Sequence, residues 1–227
     1  MKEEDYIKEN HIPNQPEPMS LKELEILTRL SKTHVCKINC NDGTTGTGFF
    51  CNIPIGWGNY LAVLMTNNHV LDLNSIQPGQ TINFSLDNDN KNYKILVDES
   101  RKTYTNESYD VTIIEIKFDD NIDEKSFFDL DKQIFQEDAY EIFKSNQIYL
   151  FHYPNGKEIK ISPGNIKAID VDNKKIEHLC SSSGGSSGGP LINKTNYQVI
   201  GIHKGAPLSG NYNLGKLLKE TIEIFNK

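Results

Sequence analysis

From Thr33 onward the chain alternates short apolar runs, rich in Val, Ile, Phe and Thr, with Gly, Asn and Asp. THVCKINC, GTGFFCN, NYLAVLMT, TINFSL, NYKILV and DVTIIEIKF form one series; QIYLFHYP, EIKISPG, NIKAIDV, KKIEHLC, PLINK and QVIGIHKG form another. Runs of this length and make-up predict strands, and many at this spacing predict an all-β fold. YLAVLMT and VTIIEI are apolar at nearly every position and read as core strands. Helical spacing occurs twice. Ser20 caps LKELEILTRL with Glu23 as capping-box partner, and LGKLLKETIEIFN places Leu214, Leu217, Leu218, Ile222 and Phe225 at helical intervals. The outline is a polar arm over 1–19, a β half with a leading helix over 20–120, a connector over 121–146, and a second β half over 147–227 that ends in a helix.

The chain has 227 residues, 37% hydrophobic and 24% charged, enough for a real core. The formal charge of −7 is scattered, and the 24 Lys and Arg form no dense run. A nucleic-acid partner is therefore not expected. No stretch reaches the ~18 apolar residues a membrane-spanning helix needs. The first twenty residues carry no apolar segment of signal-peptide length. Cys36 and Cys40, four apart on one predicted strand, would lie ~13 Å apart, too far for a disulfide. With Cys51 and Cys180 they make no disulfide framework, so the expected setting is a reducing cytoplasm. In that setting the Asn-x-Ser/Thr triplets at Asn83, Asn106 and Asn193 carry no meaning.

The tract CSSSGGSSGGPLI, from Cys180 to Ile192, is neither core strand nor helix. Taken alone it reads as a flexible Ser/Gly linker or as a tight turn presenting a nucleophile. Its position between two predicted strands and its abrupt end in apolar PLI speak against a linker. A serine hydroxyl needs a base and an acid that orients the base. Of six histidines, His11 lies in the arm and His34 near a strand start. His152 and His178 fall within strands, where a structural role is expected. His69 sits at the end of a core strand, where a rigid scaffold can present it to a cleft. Asp110 opens the run DVTIIEIKF, where an unpaired carboxylate would be costly.

GTGFF (46–50), MTNNHVL (65–71), YDVTIIEI (109–116), GSSGGPLI (185–192) and VIGIH (199–203) occur in that order and resemble the blocks of the chymotrypsin/trypsin-like serine peptidases. The resemblance covers about Thr33 to Gly205. It implies two six-stranded antiparallel Greek-key β-barrels, here with a short N-terminal helix and a C-terminal helix. It also implies a serine endopeptidase acting through an acyl-enzyme, with no cofactor and no metal. Carried over, His69 is the general base, Asp110 its orienter and Ser187 the nucleophile. The backbone N–H groups of Gly185 and Ser187 would form the oxyanion hole. Ser186 and Ser183 fall out of register with the motif. The disulfides and the Ile-Val-Gly-Gly start of digestive relatives are missing.

In trypsin-like enzymes the residue six before the nucleophile sets the pocket floor; here it is Ser181, so no carboxylate invites Arg or Lys. Ser182 and His203 resemble the hydroxyl–imidazole pair with which glutamyl endopeptidases and picornaviral proteases grip Glu or Gln. The competing expectation is that His203 packs against the barrel, with Lys204 pointing to solvent by strand alternation. His34, Cys36 and Cys40 cannot converge on one zinc ion. The Asp87–Asn90 run lacks the glycine and closing Glu of a calcium loop. Two further readings stand beside the enzyme: a catalytically idle module that binds a peptide in the same cleft, and an enzyme regulated by a protein partner.

Overall fold

A computed structural model of the chain describes residues 18–208 and 210–226. The predicted arm therefore lies outside the described residues, apart from Pro18 and Met19, and so does His11. Helix α1 (Leu21–His34) opens on both halves of the predicted capping box, with Glu23 N–H donating to Ser20 Oγ at 3.1 Å. It runs through Thr33 and His34, where the sequence pattern suggests strand. The Thr33 hydroxyl bonds back to the Arg29 carbonyl at 2.9 Å, and the His34 ring lies 4.6 Å from that of Phe128. These contacts hold the last turn helical until Val35 extends.

The first sheet contains β1 (Val35–Asn39), β2 (Thr45–Pro54), β3 (Tyr60–Thr66), β4 (Thr81–Leu86), β5 (Lys91–Leu96), β6 (Thr103–Asn106), β7 (Val111–Glu115) and β8 (Phe128–Asp129). Seven run antiparallel in the order β5-β4-β1-β2-β3-β7-β6, and β8 lies parallel to β2. The fold class is the expected one, two barrel-like sheets with few helices, but this sheet is not a closed six-stranded barrel. Arg101 spans the opening instead: Nε donates to the Leu96 carbonyl at the end of β5 and Nη1 to the Glu115 carbonyl at the end of β7. The same guanidinium forms a buried two-pronged pair with Asp120, at 2.6 and 2.9 Å.

The second sheet closes fully, in the order β9 (Gln147–His152), β10 (Lys160–Asp170), β11 (Lys175–His178), β14 (Asn213–Leu217), β13 (Val199–Gly205), β12 (Pro190–Asn193) and back to β9. Two expectations change here. EIKISPG and NIKAIDV belong largely to the single strand β10, which bulges between Ile166 and Ala168. Leu214 and Leu217 lie in β14, and the C-terminal helix α3 (Lys219–Phe225) starts only after them. Closing the barrel between β11 and β13 outweighs the helical spacing, because β14 satisfies the hydrogen-bonding edges of both neighbours.

The core explains the unbroken apolar runs. Phe49, Val63, Met65, Val111 and Ile113 join a cluster that extends into the closed barrel through Phe151, Leu191 and Ile200. Their neighbours Phe50, Leu64 and Ile114 point the other way, into a second cluster with Ile38, Phe84 and Ile95. Side chains alternate along a strand, so β2, β3 and β7 are buried on both faces and need no polar positions. The connector is pinned to both sheets. After β8, Leu130 bridges to Val199, and buried Asp131 accepts from the side-chain amides of Asn193 and Asn196, each at 2.9 Å. Helix α2 (Ala139–Phe143) follows. All four cysteines are free, and burial pushes the Cys180 thiol up to about 12.

Burial on two faces makes a specific prediction. Phe49→Ala and Phe50→Ala, at adjacent positions, should each lower the unfolding free energy by about 3–5 kcal/mol in urea titrations. A strand with one wet face would lose that amount at only one of the two.

Candidate active site

Three loops meet where the two sheets face each other. Thr66 ends β3 and delivers Asn67, Asn68 and His69 in a turn. Asp110, one residue before β7, takes a left-handed backbone (φ 54°). The Asn67 side-chain amide holds the Asp110 carbonyl at 2.8 Å, and the Asp110 amide donates to the Glu107 carbonyl at 3.1 Å. Its carboxylate is thereby aimed at His69, accepting from the His69 backbone N–H (3.1 Å) and meeting ring Nδ1 at 2.9 and 3.0 Å. The carboxylate is 6% exposed and the imidazole 47%, so a buried acid orients a ring that projects into the cleft. Burial pushes the Asp110 carboxyl up. The His69 hydrogen bonds and charge outweigh that, helped by the Lys204 ammonium, and hold it below the usual carboxylate range.

The third loop is built by tying back its carbonyls. The Gly184 oxygen accepts from Asn155 N–H, the Gly185 oxygen from Thr47 Oγ1 (2.7 Å), the Ser186 oxygen from Gly189 N–H (3.1 Å) and the Ser187 oxygen from Thr47 N–H (2.8 Å). Among the described residues the Gly185 and Ser187 amides donate to no protein acceptor. Gly185 requires positive φ (+85°), and a Cβ there would sit 2.6 Å from the Tyr153 carbonyl. At Gly188 (φ +88°) a Cβ would collide with the Thr47 carbonyl and the Thr66 hydroxyl. At Gly185, Gly188 and Gly189 the place of a Cβ is filled by backbone, which removes the linker reading, while Gly184 faces open space.

The two adjacent serines have different fates. Ser186 is fully buried; its hydroxyl meets His152 Nδ1 at 2.7 Å and accepts from Ser183 N–H. Ser187 is half-buried, and its hydroxyl donates to the Lys204 carbonyl at 3.2 Å. Among the described residues this is its one hydrogen bond, and His69 Nε2 has no partner. The structure therefore brings His69 and Asp110 into direct contact, and Ser187 into contact with Lys204.

Ser181 and Ser182 line a recess of about 330 Å³ together with His178 and Tyr212. His203 does not line it. It is 1% exposed and contacts His178, with His203 Nδ1 3.1 Å from His178 Nε2. His178 Nδ1 has no partner among the described residues. Burial lowers the His152 and His178 imidazoles to about 4, and lowers His203 well below the usual range. His34, also buried, falls to about 4. Sequence reasoning missed Thr47, Asn67 and the contact made by Lys204. Rather than pointing only to solvent, Lys204 Nζ lies 3.4 Å from Asp110 Oδ2.

Two barrel-like sheets, with a histidine–aspartate pair on one and a glycine-bounded serine turn on the other, define the chymotrypsin-like class of fold. The family described as "Trypsin-like peptidase domain" matches residues 46–202, and the chain belongs to that family of serine hydrolases. Solved structures share the fold at low identity. The serine endoprotease of Yersinia pestis superposes with a TM-score of 0.64 at 14% identity, covering 92% of this chain and 66% of its own. Rv3671c protease in an inactive form gives 0.63 at 19%, covering 93% and 96%. The HtrA-type protease AlgW with a tripeptide gives 0.62 at 16%, covering 89% and 62%. No curated protein matches the chain significantly in sequence.

The buried histidines set the acid response. Each stays neutral when folded below its ordinary value of 6.5, while the unfolded chain takes up protons there. Stability is thus complete above pH 6.5 and falls as pH drops toward 4. With three or more such groups, the unfolding free energy should fall by several kcal/mol between pH 7 and pH 5, on the order of 1.4 kcal/mol per group per unit. Urea midpoints across that range check this. Thr47→Val, which deletes one buried hydroxyl between the Gly185 oxygen and the Tyr153 amide (2.7 and 3.0 Å), should cost about 1–3 kcal/mol in the same assay.

Proposed function

We propose that the chain is a serine endopeptidase with His69 as general base, Asp110 as its orienter and Ser187 as nucleophile. The observation that carries this reading is the buried Asp110 carboxylate gripping both the backbone and the ring of His69, beside a serine turn with two unengaged amides. The Asp110 contacts fix Nδ1 toward the acid and leave Nε2 for a proton. For the reaction the Ser187 hydroxyl must exchange the Lys204 carbonyl for that nitrogen. His69 then takes the proton as Oγ attacks a peptide carbonyl. The Gly185 and Ser187 amides receive the developing oxyanion, and the imidazolium protonates the departing amine. Water repeats the sequence on the acyl-enzyme. No metal or cofactor enters these steps.

For the primary pocket we propose Glu or Gln. Ser181 and Ser182 supply hydroxyls at the recess, and among the described residues no carboxylate lines it. His178 lines the recess and is held from behind by the buried His203, so a neutral imidazole backed by a second one can face an uncharged or acidic oxygen there. Four free cysteines support a reducing, cytoplasmic setting. One observation favours a second reading. The Ser187–Lys204 hydrogen bond also suits a resting enzyme that waits for a protein partner, or an idle peptide-binding module.

Labelling with a fluorophosphonate probe tests all three. The expected result is modification of the isolated protein at Ser187, abolished in Ser187→Ala, with kcat reduced on the order of 10⁴-fold or more. No labelling of folded protein, with or without cell extract, sinks the peptidase in favour of the binding module. Labelling that appears only with extract supports the partner-dependent form. In a peptide library, cleavage after Glu or Gln supports the pocket assignment; a profile dominated by Arg or large aromatics overturns it.

A further inference from the structure

We infer that Lys204 is a positioning residue that shares the Asp110 carboxylate with His69 and so sets the pH range over which the base is ready. The inference rests on the triad reading above. His203 and Lys204 are consecutive on β13 and face opposite ways: the imidazole is sealed in the barrel, while the lysine side chain, 44% exposed, crosses the cleft between the sheets. Its ammonium reaches Asp110 Oδ2 at 3.4 Å, the same oxygen that meets His69 Nδ1 at 2.9 Å. One buried carboxylate oxygen thus serves two cations whenever His69 is protonated.

The charged groups near this carboxylate come from three elements. His69 lies on the turn after β3, Lys204 on β13 and Lys216 on β14. Lys216 of β14 is largely buried, with its ammonium 5.1 Å from the centre of the Tyr109 ring and donating to the Asn173 carbonyl. Of these, Lys204 and His69 touch the acid. A fixed positive charge on Oδ2 repels the imidazolium and takes part of the field that would stabilise it. A neutral side chain at position 204 would leave Asp110 Oδ2 to the imidazolium alone. The backbone of the same residue holds the nucleophile, through the Ser187 Oγ contact to the Lys204 carbonyl. A single strand position therefore touches both ends of the triad.

The test is an NMR titration of the His69 Cε1–H resonance, beside the pH dependence of kcat/KM, in wild type, Lys204→Met, Lys204→Gln and Lys204→Arg. Loss of the charge in either neutral variant should move the His69 midpoint about 0.5 unit toward alkaline pH, a size suited to a partly exposed ion pair. The acid limb of kcat/KM should move with it, and arginine should restore both. Lys204→Gln keeps the assay available if methionine disturbs folding. An unchanged or acid-shifted midpoint in the neutral variants, or a shift that arginine does not restore, overturns the inference. The titration reads the coupling whether or not peptide is cleaved. A correct shift in an inactive protein therefore rejects the peptidase, not the role of Lys204.

Discussion

The geometry of the cleft depends on one fully buried threonine. Thr47 of β2 donates its backbone N–H to the Ser187 carbonyl and its hydroxyl to the Gly185 carbonyl, and accepts the Tyr153 amide on that same hydroxyl. Its own carbonyl receives the Thr66 hydroxyl, three residues before His69. A single side chain and its peptide groups thus join the first sheet to the serine turn of the second. Buried hydrogen bonds of this kind add modest net stability when made, but leaving one partner unsatisfied is costly. The arrangement resists slippage between the sheets, which is what a chemistry needing sub-ångström registration demands.

How much of this was legible in the sequence divides along physical lines. Features driven by local chemistry were readable: the capping box at Ser20 and Glu23, the strand runs, and the need of Asp110 for a partner at the head of an apolar strand. Features set by long-range geometry were not. Leu214 and Leu217 have helical spacing but complete a barrel, because edge hydrogen bonds outweigh local periodicity. The gap in the first sheet, spanned by Arg101, depends on where two sheet edges end in space. Thr47 gives no signal, since threonine in a strand is ordinary. Lys204 gave a partial one: alternation separates it from His203, and if the histidine faces the barrel, the lysine must face the cleft.

Burial also sorts residues of the same type into different roles. Ser186 and Ser187 are neighbours with identical hydroxyls, yet Ser186 and His152 form a serine–histidine contact closed to any substrate. The His69 ring, by contrast, is about half exposed and oriented by a buried acid. A hydroxyl beside an imidazole is therefore insufficient for chemistry; the pair must also border water and a path for substrate. The buried histidines make the interior tolerant of neutral conditions and vulnerable to acid, the opposite of what a lumen of low pH would require.

The connector has a consequence for chain continuity. Its Phe128–Asp129 segment adds to β2, Leu130 bridges to Val199 and Asp131 is held by Asn193 and Asn196, so the stretch after Ser126 grips both halves through its own contacts. The preceding stretch, 119–125, is mostly exposed. A cut within 121–125 would fall between the Arg101–Asp120 pair and the contacts after Ser126, so both stretches would keep the anchors that hold them to the fold.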